Sequence, residues 1–203
     1  MTKPRSLVVV AHPDLRHSRV NRAWTTALQA YPASVSVHDL YARYPTGAIN
    51  VSAEQKLLES HERIILQFPL YWFSTPPLLK QWMDKVFLEG WSHGPNGNKL
   101  AGKEIGMAIS TGGREAAYRS GGRSLYTIDE LLAPLRQTVH FVGGKYLPPF
   151  VFYGARFEYT EAQLQESSRQ YARHVLQRDL DAHVQDAADL LTARAPAELT
   201  FVA

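Results

Sequence analysis

The chain has 203 residues, of which 45% are hydrophobic and 20% are charged. At roughly 150 residues per domain this length favours one domain, because no linker or repeat interrupts the pattern. We expect that domain to span residues 1–192, followed by a carboxyl-terminal tail at 193–203. The absence of cysteine excludes disulfides, thiolate catalysis and cysteine-ligated metal sites. The net charge of +3 is too small to indicate a nucleic-acid partner.

The amino-terminal sequence shows no targeting signal. Its apolar run is shorter than the ~7–15 residues of a signal peptide, and no stretch reaches the ~18 apolar residues that a membrane span needs. We therefore expect a cytoplasmic protein.

The first part of the chain alternates predicted strands and helices. Continuous apolar and β-branched residues over Ser6–Ala11 indicate a strand buried on both faces. Ser18 can cap a helix over Arg19–Ala30. Ser34–Leu40 alternates as a second strand nearer a sheet edge, and Tyr41–Val51 is predicted as a loop.

The middle of the chain repeats this alternation. Ser52 can cap a short helix over Ala53–His61, and Arg63–Phe68 is the third predicted strand. Pro76–Leu88 is an amphipathic helix with prolines in its first turn, where a missing amide proton costs least. Gly90–Gly102 is predicted as a loop or a small hairpin.

The last part completes the pattern. The predicted elements are a strand at Lys103–Ser110, a glycine-rich loop at Thr111–Arg123, a helix at Leu125–Val139 broken near Pro134, a fifth strand within Phe141–Phe152, and a long helix capped by Thr160 that runs from Glu161 to about Leu191. Five strands separated by helices predict an α/β fold, a three-layer sandwich around a five-stranded parallel sheet. The flavodoxin-like strand order 2-1-3-4-5 is the natural expectation.

Such a sheet binds its ligands beyond the carboxyl ends of the strands. The loops His12–Asn21, Pro69–Pro77 and Thr111–Gly122 should meet there. In the first, Ser18 and Asn21 at the start of a helix suit a phosphate, although a capped helix after a polar turn explains them equally. The loop lacks the GxGxxG and P-loop patterns.

The other two loops are also unusual. The apolar and aromatic run of the second, Pro69, Leu70, Tyr71, Trp72 and Phe73, would form a wall for a planar ligand, pack on the next helix, or form an oligomer interface. In the third, Thr111, Gly112 and Gly113 would let backbone amides approach a ligand, while Tyr118 and nearby arginines would hold polar or anionic groups. A solvated loop is the alternative.

Other classes of site are disfavoured. His12, His17, His38 and His61 have no metal-ligand spacing, so we expect no metal. A serine hydrolase is not supported because Ser18 and Ser110 lack the GxSxG elbow. The aromatic residues between Tyr71 and Trp91 exceed what one small core needs, so we expect part of the set to be buried against a second subunit. The set is made up of Tyr71, Trp72, Phe73, Trp82, Phe87 and Trp91.

The combination of motifs, in order and spacing, resembles one family. The segments VVVAHPDLRHSRVN, QFPLYWFSTPPLLKQWMDKVFLEGW, STGG and YLPPF are similar to those of flavodoxin-like NAD(P)H:quinone oxidoreductases, over about residues 6–180. Within the family they most resemble the bacterial ancillary oxidoreductases of glutathione-gated potassium efflux systems. The resemblance implies a homodimer with two flavin sites at its interface. It implies FMN, with FAD as the second choice, and NADPH or NADH as cosubstrate.

The resemblance also assigns roles to individual residues. It places His12, Ser18 and Asn21 near the flavin phosphate, the Pro69–Phe73 segment along the isoalloxazine ring, and Thr111–Gly113 at its polar edge. Tyr118 matches a tyrosine that assists hydride transfer in the mammalian enzymes. There a histidine follows six residues later, whereas this chain has Ser124, so the charge relay of that pair is not intact.

We therefore expect a two-electron NAD(P)H:quinone reductase with ping-pong kinetics, since both substrates would use one pocket. A second hypothesis is a regulatory subunit that binds a potassium efflux transporter and lies peripherally at the inner face of the membrane. A third, a flavodoxin-like electron carrier, fits poorly because such carriers are usually acidic.

Overall fold

The computed structural model describes residues 6–157 and 159–177. The predicted continuation of the last helix to Leu191 and the predicted tail at 193–203 lie outside the described residues. Within the described part, no helix is long and apolar enough to cross a membrane.

The strands form one parallel sheet. Their bounds are β1 Ser6–Val10, β2 Val35–Asp39, β3 Arg63–Pro69, β4 Glu104–Ser110, β5 Lys145–Tyr146 and β6 Phe150–Phe152. The order β2-β1-β3-β4-β5 confirms the predicted arrangement, and every pairing is parallel. All strands therefore end at the same edge of the sheet.

The fifth position of the sheet differs from the prediction of one strand. Two short strands, β5 and β6, pair with the two ends of β4, so the sheet has six strands in the described residues. Pro148 and Pro149 lie between them and have no backbone N–H to donate to the ladder. The prolines therefore interrupt the strand, and its second half, β6, pairs with the carboxyl end of β4.

The helices pack on both faces of the sheet. Their bounds are α1 Arg19–Leu28, α2 Leu40–Arg43, α3 Val51–Glu59, α4 Pro77–Val86, α5 Ile128–Leu131, α6 Ala133–Phe141 and α7 Glu161–Leu176. Leu7 and Val9 of β1 face the core under α3, α4 and α6, whereas Val8 and Val10 face the core under α1 and α7. This alternation buries β1 on both sides and gives the three layers.

Several predicted boundaries are wrong. Asn50, not Ser52, caps α3 by accepting a hydrogen bond from the N–H of Ala53. The predicted loop after β2 holds the short helix α2, which Asp39 caps. The helix predicted over 125–139 is two helices that join at Leu132.

Helix α7 ends at Leu176, and Gln177 turns to an extended backbone conformation.

A buried carboxylate ties α3 to its neighbours. Glu54 is only 2% exposed and accepts hydrogen bonds from the Tyr44 hydroxyl (2.5 Å), the Trp82 indole (2.8 Å) and His38 Nε2 (3.0 Å). Burial alone would raise its pKa, but these hydrogen bonds hold the pKa of Glu54 below its ordinary value. Trp82 is thus a core residue, and it does not belong to the part of the aromatic set that is free to pack against a second subunit.

Candidate functional site

A cleft of about 1340 Å³ opens at the edge where the strands end. It joins the loops that follow β1, β3, β4 and β6. Of the predicted site residues it is lined by His12, Ser18, Pro69, Leu70, Tyr71, Trp72, Phe73, Thr111, Gly112, Gly113 and Tyr118. Its volume exceeds the 300–1,000 Å³ of most small-molecule pockets, so it has room for more than one planar ligand.

One end of the cleft is built to receive an anion. Ser18 caps α1, and its Oγ accepts a hydrogen bond from the backbone N–H of Asn21 (3.2 Å). The Ser18 hydroxyl proton remains available to donate into the cleft. The positive end of the helix dipole and the guanidinium of Arg19 lie at the same place, and both attract negative charge.

Tyr159 adds an unpaired donor to this end. Its ring lies 4.4 Å below the guanidinium carbon of Arg19. Its hydroxyl is buried and has no hydrogen-bond partner among the described residues. A buried polar group without a partner is costly, so a ligand that accepts this hydrogen bond would relieve the cost.

His12 is a fixed neutral donor. Its Nδ1 accepts a hydrogen bond from the backbone N–H of Asp14 (3.1 Å), which leaves the proton of the neutral ring on Nε2. Burial lowers the pKa of His12, so the ring stays neutral at pH 7. The carboxylate of Asp14 is itself engaged by His17 at 2.9 Å.

The aromatic wall of the cleft is a tight two-residue turn. Tyr71 and Ser74 exchange backbone hydrogen bonds of 3.0 and 2.9 Å, and both central residues have positive φ, 49° at Trp72 and 63° at Phe73. Glycine or asparagine is usual in such a turn, and each bulky residue there costs on the order of 1–3 kcal/mol. The turn leaves Trp72 93% exposed, Phe73 49% and Tyr71 43%.

The glycines of the third loop serve packing within the protein. A Cβ at Gly112 would lie 2.7 Å from Cδ of Arg156, and a Cβ at Gly113 would lie 3.1 Å from the Tyr118 ring. Thr111 anchors the loop to β6 through its backbone N–H and the carbonyl of Phe152 (2.8 Å). The glycines therefore let Arg156 and Tyr118 lie against the loop backbone.

Tyr118 also lines the cleft, and its ring lies 5.9 Å from the ring of Tyr153 between centroids. Arg123 and Ser124 line the cleft as well. At the position of Ser124 the chain offers a hydroxyl and no titratable ring. The cationic side chain of this loop that lines the cleft is Arg123.

One predicted binding residue does not face the cleft. Asn21 is 1% exposed, its Nδ2 donates to Ser110 Oγ (2.9 Å), and its backbone carbonyl accepts from Gln67 Nε2 (3.0 Å). These contacts tie the first turn of α1 to β3 and β4 beneath the cleft. Asn21 therefore positions the anion-binding helix end and is not part of the cleft wall.

Sequence reasoning missed the contribution of the loop after β6. Arg156, Phe157 and Tyr159 line the cleft, as do Arg19 and Asp14 from the first loop. Because β6 ends at the same edge as the other strands, the rule that selected three loops selects this fourth one as well. With Arg19, Arg123 and Arg156 against one acid that is already paired, the cleft carries an excess of positive charge.

The fold and this cleft define an α/β protein with a cleft at the carboxyl edge of its sheet whose lining suits an anionic, planar ligand. A family profile described as the flavodoxin-like fold matches residues 4–175. A Bacillus subtilis protein named as an uncharacterized NAD(P)H oxidoreductase is 45% identical over 91% of this chain and 92% of its own length. The chain belongs to the flavodoxin-like NAD(P)H oxidoreductase family.

Other relatives carry more specific names. An ancillary protein of the glutathione-regulated potassium-efflux system from Serratia proteamaculans is 42% identical over 75% of this chain and 83% of its own. The solved general stress protein 14 of Treponema denticola, in complex with FMN, has a TM-score of 0.80 at 39% identity and covers 85% of this chain and 98% of its own.

Two further solved structures differ in the reactions they name. An NADPH-quinone reductase from P. pentosaceus has a TM-score of 0.77 at 33% identity and covers 86% of this chain and 99% of its own. A solved structure named as a thermophilic tryptophan halogenase, from Streptomycin violaceusniger, has a TM-score of 0.82 at 49% identity and covers 85% of this chain and 99% of its own.

Proposed function

We propose that this protein is an FMN-dependent NAD(P)H:quinone oxidoreductase that transfers two electrons by ping-pong kinetics. The cleft is the observation that carries the proposal. It combines an anion-binding helix start, an aromatic wall and a cationic loop with a phenol, all at one edge of the sheet. The names of the Bacillus and P. pentosaceus relatives support the reaction class.

The residues of the cleft fit a flavin mononucleotide. Ser18, Arg19 and the neutral Nε2–H of His12 would hold its phosphate and ribityl oxygens, and the unpaired Tyr159 hydroxyl offers one more donor. The Tyr71–Phe73 wall would stack on the ring system, and Thr111–Gly113 would bind its polar edge. The FMN in the Treponema neighbour supports FMN over FAD.

When bound, FMN accepts a hydride from NAD(P)H and passes it to a quinone, which is chemistry that no side chain supplies. The chain contributes orientation and charge. Tyr118 and Arg123 line the cleft and would stabilise the negative charge that develops on the oxygen of a quinone bound there. Because Ser124 cannot carry a proton as a histidine does, Tyr118 would act as a hydrogen-bond donor without a relay.

A second copy of the chain would complete the site. The turn holding Tyr71, Trp72 and Phe73 presents a largely exposed aromatic surface beside the cleft. Large exposed apolar patches mark interaction sites. We propose that this surface packs against the partner of a homodimer and closes the open side of each cleft.

The test begins with the absorption spectrum of the purified protein. We expect flavin bands that bleach when NADPH is added without oxygen and return when a quinone is added. Double-reciprocal plots at several quinone concentrations should give parallel lines, whereas intersecting lines contradict the ping-pong scheme. A colourless protein that gains no flavin bands on incubation with FMN or FAD refutes the proposal.

One similar structure is named as a tryptophan halogenase, which is a different reaction for the same fold. A halogenase transfers a halogen to tryptophan, whereas quinone reduction needs neither halide nor tryptophan. Halide-dependent conversion of tryptophan, in the absence of quinone turnover, would favour the halogenase reaction.

The names of several relatives favour a second candidate function. Proteins 38–42% identical to this chain are named as ancillary to a glutathione-regulated potassium-efflux system. We propose as the alternative a regulatory subunit, located in the cytoplasm and held at the inner face of the membrane by a transporter. Retention of the protein by the cytoplasmic domain of a candidate efflux transporter tests this role. If a cytoplasmic domain from an unrelated transporter retained the protein equally well, the regulatory role would be refuted.

A further inference from the structure

A second groove, of about 810 Å³, runs along the outer surface between α1 and α7. Small side chains form its floor, among them Ala23 and Ala27 of α1 and Ala172 of α7. Both helices return from the carboxyl edge of the sheet to its amino edge, so they run parallel and the groove follows their length. A trough of this kind has space for another segment of chain.

The walls of the groove are cationic. Arg19 and Arg22 of α1 and Arg169 of α7 line it, against the single acid Glu161. Arg22 forms no ion pair with any residue in the described part of the chain, while Arg169 is paired with Glu166. Helix α1 itself contains no acidic residue. The groove therefore lacks the negative charge that would balance it.

The segment that follows α7 carries that charge. Residues 178–203 hold five acidic residues against two arginines. Their apolar residues at 180, 184, 187 and 191 recur at the spacing typical of one helix face. The family profile ends at residue 175, just before this segment.

The position of the chain at Gln177 makes the groove reachable. The carbonyl of Val175 accepts a hydrogen bond from Ser6 Oγ at the start of β1, so α7 ends at the amino edge of the sheet. Tyr31 and Ala172, which line the groove, lie near this end of the two helices. In a helix, 13 residues cover about 20 Å, so residues 178–203 suffice to turn back and follow α1 from Tyr31 to Arg19.

We propose that residues 178–203 bind back into the groove between α1 and α7 of the same chain, with the flanking carboxylate of Asp186 near Arg22. The small floor admits the apolar stripe, and the arginines neutralise the carboxylates. Arg19 borders both this groove and the anion-binding end of the cleft. The segment therefore shares a cation with the site without entering it.

The natural absence of cysteine gives a clean test in the full-length protein. Ala27→Cys is combined with Ala187→Cys, and a short bis-maleimide is added at low protein concentration. The matched control places the first cysteine at the exposed Gln137 of α6, on the opposite face of the sheet. We expect the first pair to cross-link within one chain at least about fivefold faster than the control. Equal rates overturn the proposal, and cross-links between chains assign the groove to a second copy instead.

A charge swap tests the ion pairs separately. Arg22→Glu should slow the cross-linking about threefold to fivefold, and adding Asp186→Arg should restore it. A rate that neither change alters contradicts the charge argument. Since Arg22 does not line the cleft, flavin binding and quinone reduction are expected to stay at the wild-type level, so this result is independent of the proposed enzyme activity.

Discussion

The anion-binding end of the cleft can be tested by changing Ser18 to Asp. Asp is as good a helix cap as Ser, so the hydrogen bond to the N–H of Asn21 can be kept and the free energy of unfolding should change by less than about 0.5 kcal/mol. The carboxylate, however, replaces a donor with a negative charge at the place proposed for the flavin phosphate. The variant thus separates helix capping from anion binding.

The size of the effect follows from Coulomb's law. Two unit charges about 5 Å apart interact by about 3.3 kcal/mol at an effective dielectric constant of 20. A phosphate monoester carries about −1.5 to −2 charges at pH 7, and physiological salt screens such a partly exposed pair by roughly half. The repulsion left is about 2–3 kcal/mol, to which the lost hydrogen bond adds about 1 kcal/mol. We expect FMN to bind roughly 100-fold or more weakly.

Fluorescence titration with FMN and with riboflavin measures this directly, because riboflavin lacks the phosphate. Ser18→Asp should weaken FMN strongly and leave riboflavin within about threefold of the wild-type value. Ser52→Asp is the matched control, since it adds the same charge to the first turn of α3 on the exposed surface. An equal loss for both flavins, or unchanged FMN binding, would refute the assignment of the phosphate to the start of α1.

Three further changes test other parts of the molecule. Glu54→Gln removes the negative charge that three hydrogen-bond donors face, so it should lower the free energy of unfolding by about 3 kcal/mol at pH 7, measured by urea denaturation. The control is Glu62→Gln at an exposed position, which should lower it by about 0.5 kcal/mol or less. Because the pKa of Glu54 is depressed in the folded protein, the stability that its charge contributes is complete above the ordinary pKa of 4.5 and is lost as the pH falls through the folded-state pKa. A stability difference between wild type and Glu54→Gln that persists at low pH would contradict the role of the charge. Trp72→Ala, which removes the most exposed aromatic ring, should raise the dimer dissociation constant at least about 10-fold in sedimentation measurements, and an unchanged constant places the interface elsewhere. Tyr118→Phe should reduce kcat for quinone about 10-fold while anaerobic bleaching by NADPH stays within about twofold; loss of both steps to the same degree would argue against a role at the quinone.

The sheet is predictable from the sequence because burial on two faces leaves a strong pattern. The continuous apolar runs of β1 and β3 have no helical alternative at their length. The edge of the sheet is less predictable. Two prolines divide the last strand, and only the pairing with β4 shows that both halves remain in the sheet.

The candidate site shows a similar division. The loops could be chosen from topology alone, since parallel strands end at one edge. The direction of the Asn21 side chain could not be chosen in this way. The signal for it is the helix pattern, because Val20, Trp24 and Leu28 form the apolar stripe of α1 and Asn21 lies within that stripe, facing inward. The backbone of the aromatic turn was also beyond sequence reasoning, because neither Trp72 nor Phe73 is a residue type that favours positive φ.

That turn has a consequence for any attempt to engineer this protein. Asn-Gly in place of Trp72 and Phe73 would relax the backbone and stabilise the monomer, so a screen that scores thermal resistance alone would select it. The same exchange would strip the cleft of its aromatic wall. Resistance to heat and the capacity to hold a planar ligand are therefore opposed at these two positions, and variants of the turn have to be screened for both properties together.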